Sequence, residues 1–331
     1  MGYWDQKLVL VTGAGGFIGS HLVTALIQRG ARVRALVHYN SRADYGNLDL
    51  LPKDELQCVD VVMGDIQDAG CVHEAVRDCE CVFHLAALIG IPYSYVAPRS
   101  YVATNVAGTL NVLEAVRSHQ VPRMVHTSTS EAYGTAIYTP IDESHPLQGQ
   151  SPYSASKIAA DKLAESYHNS FGLPVATIRP FNTYGPRQSA RAIIPAVISQ
   201  LLSGKETVKL GALDPVRDLT YVEDTVRGFL AVGEQEAAIG QTINVGHGEG
   251  IAMGDLAEML IRLVGRNVEI ASSEDRLRPP NSEVMKLICN NTKAQQILGW
   301  QPTVSLEEGL ERTVAFIRDN LKLYRTDGYA I

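Results

Sequence analysis

Tyr153 and Lys157 are four residues apart in the segment Tyr-Ser-Ala-Ser-Lys. On a helix, this spacing places both side chains on one face. An ammonium group next to a phenol stabilises the phenolate and lowers the pKa of the tyrosine, which can then accept a proton from a substrate hydroxyl. A surface pair without function is the alternative, because 14 tyrosines in 331 residues also produce this spacing by chance.

Hydroxyl side chains and one carboxylate lie upstream of that pair, at the end of an apolar segment, as Thr129, Ser130 and Glu131. If the two-residue period of a strand persists, Thr129 and Glu131 point the same way. The carboxyl ends of parallel strands are where sheets of this kind bind ligands. We therefore expect these three residues to be catalytic together with Tyr153 and Lys157, and Glu131 to act as a base rather than as a structural carboxylate.

The segment from Val9 to Gly19 predicts a strand, a G-x-x-G-x-x-G turn and a helix. Gly13 permits the tight turn, Gly16 lets the main chain approach a pyrophosphate, and Gly19 lets the helix pack closely on the strand. Phosphate groups are stabilised at the N-terminus of such a helix by unpaired N–H groups and the helix dipole. The pattern predicts a dinucleotide site, and a glycine-rich turn without a ligand is the alternative.

The end of the second predicted strand determines whether the cofactor is NAD or NADP. An acidic residue there would bind the ribose hydroxyls, and an arginine would favour a 2′-phosphate. This chain has no acid at that place: Asn40 or Ser41 could bind a free ribose, and Arg42 could pair with a phosphate. Both cofactors therefore stay open at this point.

Strand and helix signals alternate through about the first 180 residues, which predicts a doubly wound parallel sheet of the Rossmann type. The predicted strands are Leu8–Val11, Val33–Val37, Val59–Val62, Val82–Leu85, Met124–Val125 and Val175–Ile178. Further along, helices are predicted near 190–203, 221–233 and 253–264, strands at Val208–Leu210 and Thr242–Val245, and a last helix starting at Ser305. We divide the chain into a cofactor-binding domain, residues 1–180, and a mainly substrate-binding domain, residues 181–331. No flexible linker separates the two, so the second should cover the first as a cap.

Composition excludes several classes of protein. The formal net charge of −7 argues against a basic nucleic-acid binder. Five cysteines without a C-x-x-C pair, and nine histidines without metal-ligand spacing, predict neither a disulfide framework nor a metal site. No apolar run is long enough for a membrane helix, so we expect a cytoplasmic protein.

Further motifs support a resemblance that covers nearly the whole chain. They are Gly64-Asp65-Ile66, His84-Leu85-Ala86-Ala87, Asn105, the run from Arg179 to Arg187, Tyr221-Val222-Glu223-Asp224, Asn244-Val245-Gly246 and Leu298-Gly299-Trp300-Gln301-Pro302. Together with the glycine turn and the Tyr153/Lys157 pair, they resemble the extended short-chain dehydrogenase/reductases, specifically the NAD(P)-dependent nucleotide-sugar epimerases and dehydratases. The resemblance implies a Rossmann domain with a smaller α/β cap, tightly bound NAD with NADP as the alternative, and a nucleotide-diphosphate sugar as substrate.

The resemblance also assigns roles to individual residues. The implied cofactor contacts are Gly13, Gly16, Phe17, Ile18, Gly19, Asn40, Arg42, Asp65, Ile66, Leu85, Ala86, Ala87, Asn105, Tyr153 and Lys157. Asp65 and Ile66 would flank the adenine. Asn182, Arg217 and Arg278 would hold the substrate diphosphate, and Arg187 and Arg191 lie in segments suited to the same task because guanidinium groups fit diphosphate oxygens.

Within this family, the turn Thr129-Ser130-Glu131 resembles the GDP-mannose 4,6-dehydratases and the UDP-glucuronate decarboxylases, whereas 4-epimerases usually have a small or hydroxyl residue in place of Glu131. Residues 138–157, 181–192 and 275–291 look most like the 4,6-dehydratases that act on nucleotide-linked N-acetylglucosamine in legionaminic acid synthesis. The decarboxylases usually have an Arg/Lys-Pro-Asp run where this chain has residues 287–291.

The resemblance therefore implies a 4,6-dehydratase that converts a UDP- or GDP-linked N-acetylglucosamine to the 4-keto-6-deoxy sugar. A UDP-glucuronate decarboxylase and a 4-epimerase are alternatives, and a non-catalytic, cofactor-sensing binding protein is an alternative of another class. The resemblance also implies a homodimer formed through a bundle of the helices near 98–118 and 153–170, with a monomer as the alternative.

Overall fold

The computed structural model describes residues 2–273 and 279–324. Its strands are β1 (Leu8–Thr12), β2 (Arg32–His38), β3 (Val59–Gly64), β4 (Cys81–His84), β5 (Met124–Thr127), β6 (Val175–Pro180), β7 (Asn182–Tyr184), β8 (Thr207–Leu210), β9 (Val216–Tyr221), β10 (Thr242–Val245), β11 (Gly250–Ala252), β12 (Glu269–Ser272) and β13 (Lys286–Leu287). Its helices are α1 (Phe17–Ile27), α2 (Lys53–Gln57), α3 (Ala69–Val76), α4 (Ile91–Val96), α5 (Pro98–Tyr101), α6 (Gly108–Ser118), α7 (Pro152–Phe171), α8 (Ile193–Leu202), α9 (Val222–Glu234), α10 (Met253–Val264), α11 (Thr292–Leu298) and α12 (Leu306–Asp319).

The main sheet has seven parallel strands in the order β10-β6-β5-β4-β1-β2-β3. This confirms the predicted parallel, doubly wound fold. From β1 the chain first continues to β2 and β3 on one side and then returns to β4 on the other. In such sheets, ligands bind at this switch point, outside the carboxyl ends of the strands.

The sheet is covered by helices on both faces, and β1 shows why. All five of its residues are buried: Val9 and Val11 belong to the core on the α1 and α9 side, whereas Leu8 and Leu10 belong to the core on the α3, α6 and α7 side. A strand buried on both faces has to be apolar throughout rather than alternating. This is the pattern from which the strand was predicted.

The second half of the chain builds smaller sheets and also returns to the main one. β9 pairs in parallel with β7 and β13 and antiparallel with β11, while β8 pairs with β12. The predicted helices and the strands near residues 208–210 and 242–245 are present. β7 and β11 to β13 were not predicted because each has only two to four residues. β9 was not predicted because the polar pair Arg217-Asp218 interrupts its apolar residues.

Helix α7 positions the tyrosine–lysine pair, and its ends are defined by local chemistry. The Ser151 hydroxyl accepts a hydrogen bond from the Ser154 amide, the reciprocal bond from the Ser151 amide to the Ser154 hydroxyl completes a capping box, and Pro152 occupies the first turn. The helix ends at Gly172, whose φ of +66° is left-handed. None of the helices within residues 2–273 and 279–324 combines the length and apolarity needed to cross a bilayer.

Candidate active site

A cleft of about 1180 Å³ lies at the carboxyl ends of β1, β2, β4 and β5, between the main sheet and the smaller sheets. It is lined from the glycine turn at one end to β8 and β9 at the other. Its lining contains Tyr153, Lys157 and the turn after β5, so the structure brings the two predicted catalytic segments together in one cavity.

The glycine turn has the geometry of a dinucleotide site. Gly13 has a φ of +71°, and a Cβ there would lie 2.8 Å from the Ala86 amide nitrogen. A Cβ on Gly19 would lie 2.3 Å from the Gly13 carbonyl oxygen. At Gly16, by contrast, the only close neighbour would be the Gly13 oxygen at 3.1 Å. The turn is therefore packed on its inner side and accessible at the N-terminus of α1, as a bound pyrophosphate requires.

The loop after β2 also lines the cleft, through Asn40, Ser41 and Arg42. Asn40 organises the loop itself: its Nδ2 donates to the Asp44 carbonyl oxygen at 2.8 Å, and its Oδ1 accepts from the Arg42 amide at 3.0 Å. Arg42 is exposed. The geometry does not choose between a ribose contact by Asn40 or Ser41 and a phosphate contact by Arg42.

The segment after β4 is held in place by hydrogen bonds that involve buried polar side chains. His84 contacts the hydroxyl of Thr12 at 2.8 Å and that of Thr109 at 3.0 Å, so both ring nitrogens of this buried histidine have hydrogen-bond partners. Asn105, in a π-helical turn between α5 and α6, accepts from the Leu88 amide at 2.8 Å and donates to the Leu88 carbonyl oxygen at 2.9 Å. Leu85, Ala86 and Ala87 line the cleft, and Asn105 supports the loop that contains them.

Three of the predicted cofactor contacts are not among the cleft-lining residues: Asp65, Ile66 and Asn105. Asp65 accepts from the Gln67 amide at 2.9 Å and lies 3.4 Å from the imidazole of His38. Ile66 is buried against α6. The adenine-flanking role of Asp65 and Ile66 remains a prediction.

Tyr153 is 7% exposed and packs edge-on against Tyr101, with ring centroids 6.3 Å apart. Burial raises the pKa of Tyr153, a hydrogen bond with Thr129 lowers it, and the nearby Glu131 charge raises it further; the net direction is upward. The spacing of Tyr153 and Lys157 predicts that the lysine lowers the pKa of the tyrosine. That expectation is wrong for this structure because the desolvation of the phenol dominates.

Lys157 is 3% exposed, and its Nζ donates to the Thr127 carbonyl oxygen at 2.6 Å. Burial lowers the pKa of Lys157 to about 8, although the nearby Asp161 carboxylate raises it. The lysine thus lies on the same helix face as Tyr153, as predicted, and its ammonium is tied to the end of β5.

The turn after β5 differs from the expectation. The strand ends at Thr127, and Ser130–Tyr133 form a single turn of 3-10 helix in which the Thr129 hydroxyl accepts from the Glu131 amide at 3.3 Å. The strand period therefore does not persist, and the turn rather than alternation places Thr129, Ser130 and Glu131 along the cleft. The Glu131 carboxylate is half-buried and makes no ion pair within the described residues.

The far end of the cleft contains the predicted anion ligands. Arg217, Arg191 and Asn182 line it. Arg217 is 6% exposed, and its Nη2 donates to Glu283 Oε1 at 3.2 Å. In the described part of the chain, the buried Oδ1 of Asn182 has no hydrogen-bond partner, which fits a donor supplied by a ligand.

Arg187 and Arg278 are the two remaining predictions. Arg187 does not line the cleft: its guanidinium is partly buried close to Glu55, and burial lowers its pKa. Arg278 lies outside the described residues.

Glu283 and Asp161 are functional candidates that were not predicted from the sequence, because a single acidic residue outside a motif gives no signal without its spatial neighbours.

The chain matches the family model described as GDP-mannose 4,6 dehydratase over residues 10–313. It is 36% identical over 319 residues to a UDP-glucose 4-epimerase of Mycolicibacterium smegmatis, an alignment that covers 94% of this chain and 98% of that protein. It is 34% identical over 316 residues to a dTDP-glucose 4,6-dehydratase of Streptomyces antibioticus, with 94% and 92% covered.

A solved structure of a dTDP-glucose 4,6-dehydratase from Streptomyces venezuelae, with NAD bound, superimposes with a TM-score of 0.84 at 31% identity, covering 96% of this chain and 99% of that one. The fold and the site thus define an extended short-chain dehydrogenase/reductase. Within that class, the chain belongs to the GDP-mannose 4,6-dehydratase family, whose relatives here include nucleotide-sugar 4,6-dehydratases and 4-epimerases.

Proposed function

We propose that this protein is an NAD-dependent nucleotide-sugar 4,6-dehydratase whose substrate is a UDP- or GDP-linked N-acetylglucosamine. The observation that carries the proposal is the position of Glu131: a carboxylate that forms no ion pair with any residue the structure describes, in the same cleft as Tyr153 and close enough to influence its pKa. A 4,6-dehydratase needs such a second base, whereas the oxidation of a 4-hydroxyl alone requires only the tyrosine.

The cofactor-binding part rests on the glycine turn, the loops after β2 and β4, and the Tyr153/Lys157 pair. The related dTDP-glucose 4,6-dehydratase of Streptomyces venezuelae was solved with NAD, which supports NAD for this chain. We assign residues 1–180 mainly to the cofactor and residues 181–331 mainly to the substrate. A bound nicotinamide would supply the hydride chemistry that the reaction needs at C4 and C6 of the sugar.

Tyr153, whose pKa is raised by burial, has to lose its phenol proton before it can take the proton of the sugar 4-hydroxyl, and Thr129 holds the same sugar oxygen by a hydrogen bond. The charged Lys157 stabilises the phenolate through space and is positioned to bind the nicotinamide ribose. The resulting 4-ketone acidifies the neighbouring C5–H, and Glu131 removes that proton. The 6-hydroxyl leaves as water with a proton delivered by Glu131 or relayed by Ser130, and C5 is reprotonated at the end.

The proton count of this sequence closes. Two protons leave the sugar, from the 4-hydroxyl and from C5, and two are given back, one to the departing hydroxide and one to C5. The sugar loses one water in total, and the nicotinamide ends in its starting oxidation state. The cofactor therefore has to stay bound through the cycle, in agreement with the deep position of its predicted site beside the glycine turn.

In this proposal, the contacts to the substrate diphosphate and sugar come from Arg217, Asn182 and Arg191. Arg278 remains a prediction for the same role.

Exposed apolar side chains lie on the helices from α4 to α6: Val96, Val102 and Leu110 are 74%, 57% and 36% exposed. Because exposed apolar surface of this kind favours association, we propose a homodimer through these helices and α7.

A 4-epimerase is the second candidate, favoured by the 36% identity to the UDP-glucose 4-epimerase of Mycolicibacterium smegmatis. The Glu131→Gln variant separates the two. For a dehydratase, this variant still reduces the bound cofactor when the sugar is added, but it releases no dehydrated product, because C5 keeps its proton. For an epimerase, turnover continues without Glu131. The exposed Glu249→Gln variant is the matched control and should react like the unmodified protein.

A further inference from the structure

Asp161 lies on α7 one helical turn after Lys157 and is 6% exposed. Both of its carboxylate oxygens accept hydrogen bonds. Oδ1 accepts from His126 Nε2 at 3.0 Å, and Oδ2 accepts from Ser128 Oγ at 2.5 Å and from Arg179 Nη2 at 2.8 Å. The carboxylate therefore connects α7 to the end of β5 and to β6.

Together with Lys157, this carboxylate holds three consecutive residues. Asp161 binds the side chains of His126 and Ser128, and Lys157 binds the carbonyl oxygen of the residue between them, Thr127, at 2.6 Å. We refer to these contacts between residues 126–128 and the pair Lys157/Asp161 as the α7–β5 clamp. The next residue in the chain is Thr129, where the catalytic turn begins.

The hydrogen bonds of the clamp fix the position of α7 relative to β5. A buried ion pair adds little stability compared with well-packed apolar side chains, so its presence points to geometry rather than to stability. Arg179 supports the arrangement from β6: its Nε donates to Ser128 Oγ at 3.0 Å, and its guanidinium stacks over the Tyr133 ring at 4.6 Å. Sliding α7 along β5 by one residue would break these bonds together.

We propose that Asp161 is a positioning residue that sets the register of the Tyr153/Lys157 helix against the Thr129–Glu131 turn, and whose charge supports the ammonium of Lys157. This inference rests on the proposed function, since it assigns the two segments to one reaction. Asp161 is not among the residues that line the cleft. A displacement of about 1 Å between reacting groups lowers a rate by about 100-fold, so such a clamp is expected to influence kcat strongly.

The second part of the proposal concerns the charge of Lys157 and the titratable groups around it. These groups are Tyr153 and Asp161 on α7, His84 on β4, His126 on β5, Glu131 in the following turn and Arg179 on β6. Both histidines have lowered pKa values because they are buried, and Arg179 is cationic, so Asp161 provides the compensating negative charge. Removing that charge makes the protonated form of Lys157 less favourable.

The test compares Asp161→Asn with Ser128→Ala, which removes one contact of the clamp but keeps the charge. The first reaction step, reduction of the bound cofactor by the nucleotide sugar, is measured in a single turnover, and kcat and KM are measured against pH. For Asp161→Asn we expect kcat to fall by about 10- to 100-fold with KM changed less than about threefold, and the loss of activity at high pH to begin at lower pH. For Ser128→Ala we expect a smaller fall in kcat and an unchanged pH profile. Asp161→Glu should restore the pH profile but only part of the rate.

An Asp161→Asn protein with the kcat and pH profile of the unmodified protein would overturn the inference, as would a loss explained entirely by a smaller folded fraction. If that variant does not fold, an unchanged kcat in Ser128→Ala overturns it instead. Hydrogen exchange of the backbone amides of residues 126–131 gives a readout that needs no activity. If the unmodified protein reacts with no nucleotide sugar, the proposed function has failed, and unchanged exchange in both variants would then separately reject the clamp.

Discussion

Arg217 and Glu283 form an ion pair of 3.2 Å within the substrate end of the cleft, with side-chain exposures of 7% and 17%. The resemblance assigns Arg217 to the substrate diphosphate, so the carboxylate of Glu283 lies where that dianion would bind. Both residues have further interactions in the structure. In the proposed function, the Glu283 carboxylate neutralises the buried Arg217 guanidinium and gives way to the diphosphate when the substrate binds.

Glu283→Gln is expected to bind UDP or GDP about three- to tenfold more tightly than the unmodified protein, because the substitution removes a negative charge close to the diphosphate. Arg217→Gln is the matched change on the other partner. It should weaken binding by about tenfold or more, which is the cost of one lost hydrogen bond to a charged group. Isothermal titration calorimetry measures both affinities. Weaker binding by Glu283→Gln would show that this carboxylate assists the nucleotide instead of competing with it.

Tyr153→Phe should lower kcat by about 10²- to 10⁴-fold, the usual contribution of a positioned acid–base group, and change KM little. The fold should be retained, because the ring keeps its edge-on contact with Tyr101. Steady-state kinetics together with the thermal unfolding midpoint check this. Turnover within about threefold of the unmodified protein would remove Tyr153 from the proton-transfer step.

The pH dependence of kcat/KM should show the titration of Lys157. Burial lowers the pKa of this lysine to about 8. In the proposed mechanism, the protonated form of the lysine is the one that stabilises the phenolate of Tyr153. Activity is therefore present below that pH and is lost as the pH rises through about 8. Lys157→Arg, which stays charged, should remove this decline even where its rate is lower. An identical decline in Lys157→Arg would assign the titration to another group.

Asp224, on α9, should contribute strongly to the stability of the fold. Its buried carboxylate accepts from the Thr303 and Val304 amides, each at 3.0 Å, and contacts Arg227. Burial opposes ionisation, but the hydrogen bonds from Arg227, Val304 and Thr303 hold the pKa of Asp224 below its ordinary value. The stabilisation is therefore present above the unfolded-state pKa of about 4 and is lost as the pH falls through the lower folded-state pKa.

Asp224→Ala leaves the buried Val304 amide and the Thr303 amide without their acceptor and should lower the free energy of unfolding by about 3 kcal/mol at neutral pH. The matched control is Asp60→Ala, which removes an exposed partner of Arg34 and should cost less than about 1 kcal/mol. Urea unfolding followed by circular dichroism measures both. Equal losses in the two variants would contradict the assigned role of Asp224.

Much of the sheet follows from the sequence because the information is local. The runs that form β1, β2 and β4 each contain at least three consecutive apolar residues, and the glycine spacing defines the turn into α1 without any distant contact. The Tyr153/Lys157 face was predicted for the same reason, since a helix fixes the relation of residues four apart. The last helix was also predicted from its N-terminus, where Ser305 accepts from the Glu308 amide.

What the sequence did not predict depends on distant contacts. The raised pKa of Tyr153 results from burial, which no local pattern reports. The shape of the turn at Thr129–Glu131 is set by a 3-10 turn instead of a continued strand. The partners of Asp161 and Glu283 come from β5, β6 and β9, and only the fold places them next to each other.

The central claim is dehydration of a nucleotide sugar, and the most direct test is the mass of the product. The purified protein is incubated with UDP- and GDP-linked glucose, N-acetylglucosamine and glucuronate, without added cofactor, and each product is weighed by mass spectrometry. We predict the loss of one water from an N-acetylglucosamine nucleotide. Loss of carbon dioxide from the glucuronate, an altered sugar of unchanged mass, or no reaction with the whole panel would contradict the account.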